Sequence, residues 1–201
     1  TSISTLPYFN SFDNYGTELS TIPYGWTKIN DNNNATSTII IYNYSPPVGF
    51  IFASKTTDYN YLITPKFDTQ IQLNSLRVKF QFTAFSTPSR LIIGVMTDPT
   101  DTSSFVQVGE VNSSLIYNWE EKEVLLSSYN GNGKYIAFRA PSNSQVAIDN
   151  LEISTIPSCI RPKNITLTNI SAYSASISFI PQNNESQWEL QHKLSTDTLW
   201  A

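Results

Sequence analysis

The sequence LRVKFQFTA at residues 76–84 determines the fold class of this chain. Apolar residues at positions 76, 78, 80, 82 and 84 alternate with Arg77, Lys79, Gln81 and Thr83. A period of two is typical of a strand with one face in a core and the other in water. Short runs rich in β-branched and aromatic residues, bounded by turn residues, recur at 39–44, 49–54, 91–97, 106–111, 121–126 and 135–139. Because helical patterns are nearly absent, the sequence predicts an all-β chain folded as a jelly-roll β-sandwich.

The sequence VAIDNLEI at residues 146–153 follows the same pattern but changes phase. Val146 and Ile148 occupy one face of the strand, whereas Leu151 and Ile153 occupy the other. A β-bulge at Asp149 would return all four apolar residues to one face and direct the carboxylate at a specific partner. The alternative is a strand end at which Asp149 turns to solvent.

The composition limits the classes of partner. The net charge is −4, with only 12 Lys and Arg residues, whereas nucleic-acid binding requires a basic surface. No apolar run approaches the roughly 18 residues of a membrane span, so membrane insertion is not expected. Charged residues make up 14% of the chain and Asn, Ser, Thr and Tyr abound, which favours an extracellular location, secreted or at the cell surface. The single Cys159 excludes an intramolecular disulfide.

The strand pattern restarts at residue 157. Three runs, with Leu167, Phe179 and Leu190 among their apolar residues, predict three strands in residues 157–201. An immunoglobulin-like sandwich needs about seven strands and about 100 residues. The sequence therefore predicts a jelly-roll domain at 1–156 and the first strands of a second sandwich at 157–201. We expect the chain to be part of a longer polypeptide with neighbouring domains.

Residues 7–153 resemble the cleaved-adhesin, or MAM-like, jelly-roll modules of secreted bacterial surface proteins, including those of gingipain haemagglutinin regions. The resemblance lies in the order and spacing of short fragments: Phe12-Asp13, Ile22-Pro-Tyr-Gly-Trp26, Tyr61-Leu-Ile-Thr-Pro65, Gly94-Val-Met-Thr97, Ser104-Phe105, Asn118-Trp119, Tyr135-Ile-Ala-Phe138 and Ile148-Asp149-Asn150. It implies a non-catalytic adhesive or carbohydrate-binding module.

Residues 157–201 resemble the opening of a fibronectin type III domain, an immunoglobulin-like sandwich. The matching fragments are Cys159, Pro162-Lys-Asn-Ile165, Ser174-Ala-Ser-Ile177 and Trp188-Glu-Leu190. Phe179 stands where that family usually has a core Trp. This exchange keeps an aromatic residue in the core.

The resemblance to MAM-like modules also implies a structural calcium ion. In such modules an acidic residue near the first strand and one on the last strand share the ion, which points to Asp13 and Asp149. Two carboxylates, backbone carbonyls and water supply the six to eight oxygens that Ca²⁺ prefers. Some adhesin modules carry a second calcium, for which Asp31 is the available carboxylate. The alternatives are a turn capped by Asp13 and a solvated loop around Asp31.

Tyrosines near loops and strand ends are the candidate ligand-binding residues: Tyr42, Tyr44, Tyr59 and Tyr61. Flat rings that carry a hydroxyl stack on sugar faces and form hydrogen bonds with sugar edges. Tyrosine also fills ordinary β cores, so each residue has a structural alternative. We expect the partner to be a glycan or a host or cell-surface protein.

Catalytic groups are scarce. The only histidine, His192, lies outside the predicted complete domain, as does Cys159. Glu121 and Glu123 share one face of a strand, which is typical of a solvated edge rather than of the carboxylate pair of a glycosidase. We therefore interpret the chain as a non-catalytic extracellular binding module and not an enzyme. The alternatives are a structural spacer attached to a secreted peptidase or glycosidase and, third, a hydrolase.

Overall fold

The structure is a computed structural model. It describes residues 2–13, 22–30, 38–42, 49–53, 59–113, 115–182, 185–193, 196 and 198, with residues 30, 38–42 and 49–53 described by their backbone alone. Contacts divide the chain into two compact units, Thr1–Ile156 and Pro157–Ala201. Among the described residues, no helix combines the length and the hydrophobicity that crossing a membrane requires.

The first unit is built almost entirely of strands. In the described residues these are β1 (Ser2–Ile3), β2 (Tyr8–Asn10), β3 (Thr27–Asn30), β4 (Thr38–Tyr42), β5 (Gly49–Ala53), β6 (Asn60–Ile63), β7 (Lys66–Phe67), β8 (Leu76–Ala84), β9 (Ser89–Met96), β10 (Val106–Ser113), β11 (Glu120–Leu125), β12 (Tyr135–Ala140) and β13 (Gln145–Thr155).

Two antiparallel sheets form a sandwich. One has the strand order β10-β9-β12-β6-β3, and the other has the order β11-β8-β13-β5-β4, with β2 also paired to β13. Strands β1 and β7 form a separate parallel pair. The all-β sandwich predicted from the sequence is confirmed.

The core lies between the two sheets because both place their apolar faces inward. On β8, residues 76, 78, 80, 82 and 84 are buried, as their alternation with polar residues predicts. Phe80 meets Phe138 of the opposite sheet edge to face, with ring centroids 5.9 Å apart. Trp26 stacks on Phe138 at 6.4 Å, and its indole N–H donates a hydrogen bond to the Tyr8 hydroxyl at 3.0 Å.

Strand β13 changes its register at Asp149. Its pairing with β8 shifts between Asp149 and Glu152, and Asn150 has a φ of 48°. Before this point β13 pairs with β5, and after it Leu151 pairs with Asn10 of β2. The β-bulge predicted from the sequence is confirmed. The alternative of a strand end open to solvent is wrong, since Asp149 is 0% exposed and β13 continues to Thr155.

The second unit contains, in its described residues, two antiparallel strands, β14 (Lys163–Thr168) and β15 (Ser176–Ile180). The third strand predicted around Leu190 is not formed, because residues 185–193 have no strand pairing. A strand requires a neighbour for its backbone hydrogen bonds, and this segment has none within the described part of the unit. Trp188 instead packs edge-on against Phe179, with ring centroids 5.0 Å apart.

Candidate functional site

The first candidate is a carboxylate buried at the bulge of β13. Asp149 Oδ1 accepts a hydrogen bond from the Asn150 backbone N–H at 2.8 Å. Asp149 Oδ2 is buried and has no hydrogen-bond partner among the described residues. A buried oxygen without a hydrogen-bond partner lowers the stability of the folded state. This atom is therefore the part of the bulge at which a bound ligand would be stabilising.

Asp13 lies close enough to Asp149 to affect its ionisation. Burial raises the pKa of Asp149 from 3.8 to about 7, the hydrogen bond from Asn150 opposes the rise, and the negative charge of Asp13 adds to it. Asp13 itself is exposed. An exposed carboxylate beside a buried carboxylate that is short of a hydrogen-bond partner has the chemistry of a site for a hard cation.

The same face of the six-stranded sheet holds another buried oxygen. Thr83 of β8 pairs with Ala147, which is two residues before Asp149 on β13. The side chains of Thr83 and Asp149 therefore project from the same face of the sheet. Thr83 Oγ1 is buried without a hydrogen-bond partner. The described residues contain no group of three or more Asp, Glu, His or Cys that would complete a metal site. Asp31, the third predicted ligand, lies outside the described residues.

The second candidate is a cluster of rings on the outer face of the five-stranded sheet. Tyr61 of β6 lies opposite Arg139 of β12, and its ring meets Phe105 edge to face at 5.6 Å. The Arg139 guanidinium carbon lies 4.7 Å from the centroid of the Tyr59 ring and 4.4 Å from that of Phe105. Tyr135 packs against the same cluster. We call Tyr59, Phe105, Tyr135 and Arg139 the Arg139 face.

The four predicted tyrosines do not share one place. Tyr59 is partly exposed and belongs to the Arg139 face. Tyr61 is only 4% exposed, so its ring supports this surface from beneath. Tyr42 ends β4 of the other sheet; its side chain and the whole of Tyr44 lie outside the described residues.

A role for Arg139 and Phe105 in ligand binding was not predicted from the sequence. Arg139 follows the buried Phe138, so strand alternation alone places it on the outer face of β12. Its contact with Phe105 depends on a loop that folds back over the sheet. That approach needs Gly94, since a Cβ at this position would lie 2.5 Å from the Phe105 ring.

The carboxylates of β11 are engaged in ion pairs on the outer face of the edge strand. Arg77 contacts Glu123 at 3.0 Å, and Lys79 contacts Glu121 at 3.4 Å. These pairs match the solvated edge predicted from the sequence, and that interpretation is confirmed. Glu120 has a lowered pKa, chiefly because it accepts hydrogen bonds from Lys122 and Ser113. A lowered pKa at Glu120 is the opposite of the raised pKa expected of a general acid.

Solved structures share the architecture described above. The K1 cleaved adhesin domain of Lys-gingipain from Porphyromonas gingivalis W83 aligns with a TM-score of 0.56 and 20% identity, over 76% of this chain and 100% of that domain. The K2 domain of Lys-gingipain gives 0.56 and 14%, over 75% and 99%. The K3 domain from the same organism gives 0.54 and 18%, over 73% and 97%.

About three quarters of the chain shares the fold of these domains. The resemblance predicted from the sequence is thus confirmed for the architecture of the first unit, although identity remains low. No protein-family model matches the sequence, and no curated protein sequence matches it. Because one fold hosts many functions, the function must be argued from the sites.

Proposed function

We propose that this chain is a non-catalytic extracellular binding module, for adhesion or carbohydrate binding, whose ligand is a glycan held on the Arg139 face. The observation that carries the proposal is the arrangement of Tyr59, Phe105 and Arg139, with aromatic rings at 4.7 and 4.4 Å from one guanidinium. Partly exposed rings beside polar donors form the typical surface for stacking on a sugar and bonding its hydroxyls.

The proposal draws further support from what the other charged groups do. The carboxylates Glu121 and Glu123 are paired with cations, so they serve the sheet surface rather than a cleft. The three aligned domains are named cleaved adhesin domains. The abundance of Asn, Ser and Thr over charged residues favours a secreted or cell-surface location.

A glycan array tests this function with two tyrosine variants. Wild type should bind at least one glycan class in buffer containing Ca²⁺, and Tyr59→Ala should lose that signal because it removes the exposed ring. Tyr24→Ala is the matched control, since Tyr24 is 84% exposed and lies outside the Arg139 face. Absence of wild-type binding across a broad panel would overturn the proposal and favour a structural spacer joined to a neighbouring enzyme.

We also propose that Asp13 and Asp149 bind a structural Ca²⁺ ion. The buried Oδ2 of Asp149 has no hydrogen-bond partner among the described residues. Burial raises the pKa of Asp149 to about 7, and the charge of Asp13 adds to the rise. A bound cation would give Oδ2 a partner and offset the charge of both carboxylates. Isothermal titration with Ca²⁺ should show binding that Asp149→Asn abolishes. Asp31→Asn should leave this site intact and would remove only a second ion.

For residues 157–201 we propose the opening strands of a fibronectin type III domain. The β14–β15 pair and the edge-on contact of Phe179 with Trp188 support this assignment. Solution NMR of a chain extended to a full sandwich should show strand pairing for residues 186–193. Continued absence of pairing there would contradict the assignment.

A further inference from the structure

We propose that Arg139 binds a carboxylate group, so that the ligand of the Arg139 face is a carboxylated sugar. This inference rests on the proposed glycan-binding function and names its substrate class. It begins from the setting of one guanidinium, which the rings of Tyr59 and Phe105 hold at 4.7 and 4.4 Å. A planar guanidinium fixed by rings presents its N–H donors in a defined direction.

Within the part of the chain that the structure describes, Arg139 differs from the other arginines of the sandwich in having no acidic partner. Arg77 pairs with Glu123 at 3.0 Å and Arg90 with Glu110 at 3.5 Å. Among the described residues, no carboxylate lies within ion-pair distance of Arg139. Its Nε is buried, and the N–H on it donates to no acceptor among the described residues. The described part of the fold therefore places a cation and an unused donor together without supplying an anion.

The surroundings of Arg139 strengthen its hydrogen bonds to a bound anion. The strand register places Tyr61, Ile63, Met96 and Ala137 on the same face of the sheet as Arg139, and each is at most 4% exposed. Charge-assisted hydrogen bonds gain strength where water is excluded. Arg139 is partly exposed, which leaves part of the residue open to an incoming group. Its fork of donors matches a carboxylate in a bidentate geometry.

The aromatic rings select a sugar as the carrier of that carboxylate. Tyr59, which contacts the guanidinium, and Tyr135, which packs on the same cluster, are both partly exposed, so a pyranose ring bound by its carboxylate would lie against them. Uronic acids and sialic acids both provide this chemistry. Separate arms of one experiment distinguish these two sources.

The experiment measures binding of oligogalacturonate, its methyl ester and a sialylated oligosaccharide by isothermal titration calorimetry. Wild type should bind one of the two acids at least about tenfold more tightly than the methyl ester, in which the charge is lost. Arg139→Lys keeps a positive charge but not the fork, and should lose at least about tenfold. Arg90→Lys, on the same sheet but already paired with Glu110, is the matched control and should bind as wild type does.

The outcomes distinguish the inference about the carboxylate from the proposed glycan-binding function. Equal binding of acid and ester, or wild-type affinity in Arg139→Lys, overturns the inference while leaving glycan binding intact. Binding of a neutral glycan alone has the same consequence. Failure to bind any glycan overturns the proposed function together with the inference. Urea unfolding checks that Arg139→Lys is folded under the conditions of the titrations. If it is not folded, Arg139→Gln takes its place in the titrations.

Discussion

Replacing Asp149 with Asn should abolish a pH dependence of stability in the metal-free protein. Burial raises the pKa of Asp149 from 3.8 to about 7. The native state then binds the proton more tightly than the unfolded state, so stability is full below pH 4 and falls as the pH rises toward 7. Because one pKa unit corresponds to about 1.4 kcal/mol, the total loss is about 4 kcal/mol, of which about 2.5 kcal/mol falls between pH 5 and pH 8.

Urea unfolding with chelator present, followed by tryptophan fluorescence, measures this loss at pH 5 and at pH 8. The window avoids the carboxylates that act in the opposite sense. Hydrogen bonds lower the pKa values of Asp98 and Glu120, so their contribution is complete above their unfolded pKa values, near pH 4 to 5. Asp149→Asn keeps the size of the side chain and stays neutral at both pH values. The difference in unfolding free energy between wild type and variant should therefore change by about 2.5 kcal/mol across the window.

Addition of Ca²⁺ provides a second test of the same carboxylate. At pH 8, Ca²⁺ at 100 times its dissociation constant should add about 2.7 kcal/mol to wild type and nothing to Asp149→Asn. A wild-type stability that does not change between pH 5 and pH 8 in chelator would refute the reasoning about the buried carboxylate. Equal stabilisation of both proteins by Ca²⁺ would place the ion elsewhere.

Three further substitutions test the fold and the Arg139 face by urea unfolding. Phe138→Ala should cost about 3–5 kcal/mol, because it removes a ring that is 0% exposed and contacts both Phe80 and Trp26; a loss below 1 kcal/mol would contradict this packing. Gly94→Ala should cost about 1–3 kcal/mol, since its Cβ would lie 2.4 Å from the Val106 backbone oxygen and 2.5 Å from the Phe105 ring, and unchanged stability would contradict this packing. Glu121→Gln should change stability by less than about 1 kcal/mol, because the pair with Lys79 is partly exposed; a larger loss would mean that this edge is not solvated.

Alternation and phase made much of the sandwich predictable. The strict period of two in residues 76–84 predicts which residues of β8 face the core, and the structure buries the predicted set. The change of phase at Asp149 predicts the bulge, because only an inserted residue returns Leu151 and Ile153 to the core face. Both are local properties of one strand, so one sequence suffices to find them.

Contacts between distant segments were not predictable in the same way. The approach of Phe105 to Arg139 depends on the register of β12 against its neighbours and on the path of a loop. Neither follows from the pattern of a single strand. The predicted strand around Leu190 has the right alternation, yet it remains unpaired in the described residues. Alternation predicts which face of a strand is apolar, whereas pairing requires a neighbouring strand.

The two candidate sites lie on opposite outer faces of the sandwich, and this separation assigns them different roles. Asp149 pairs with Gln81 on the outer face of the six-stranded sheet, whereas Arg139 projects from the outer face of the five-stranded sheet. The whole core lies between them, so an ion at Asp149 makes no contact with a ligand at Arg139. Calcium would then act on binding only through the folded fraction. At a temperature where the metal-free protein stays folded, chelation should leave glycan affinity unchanged, and a loss of affinity without unfolding would place an ion at the ligand itself.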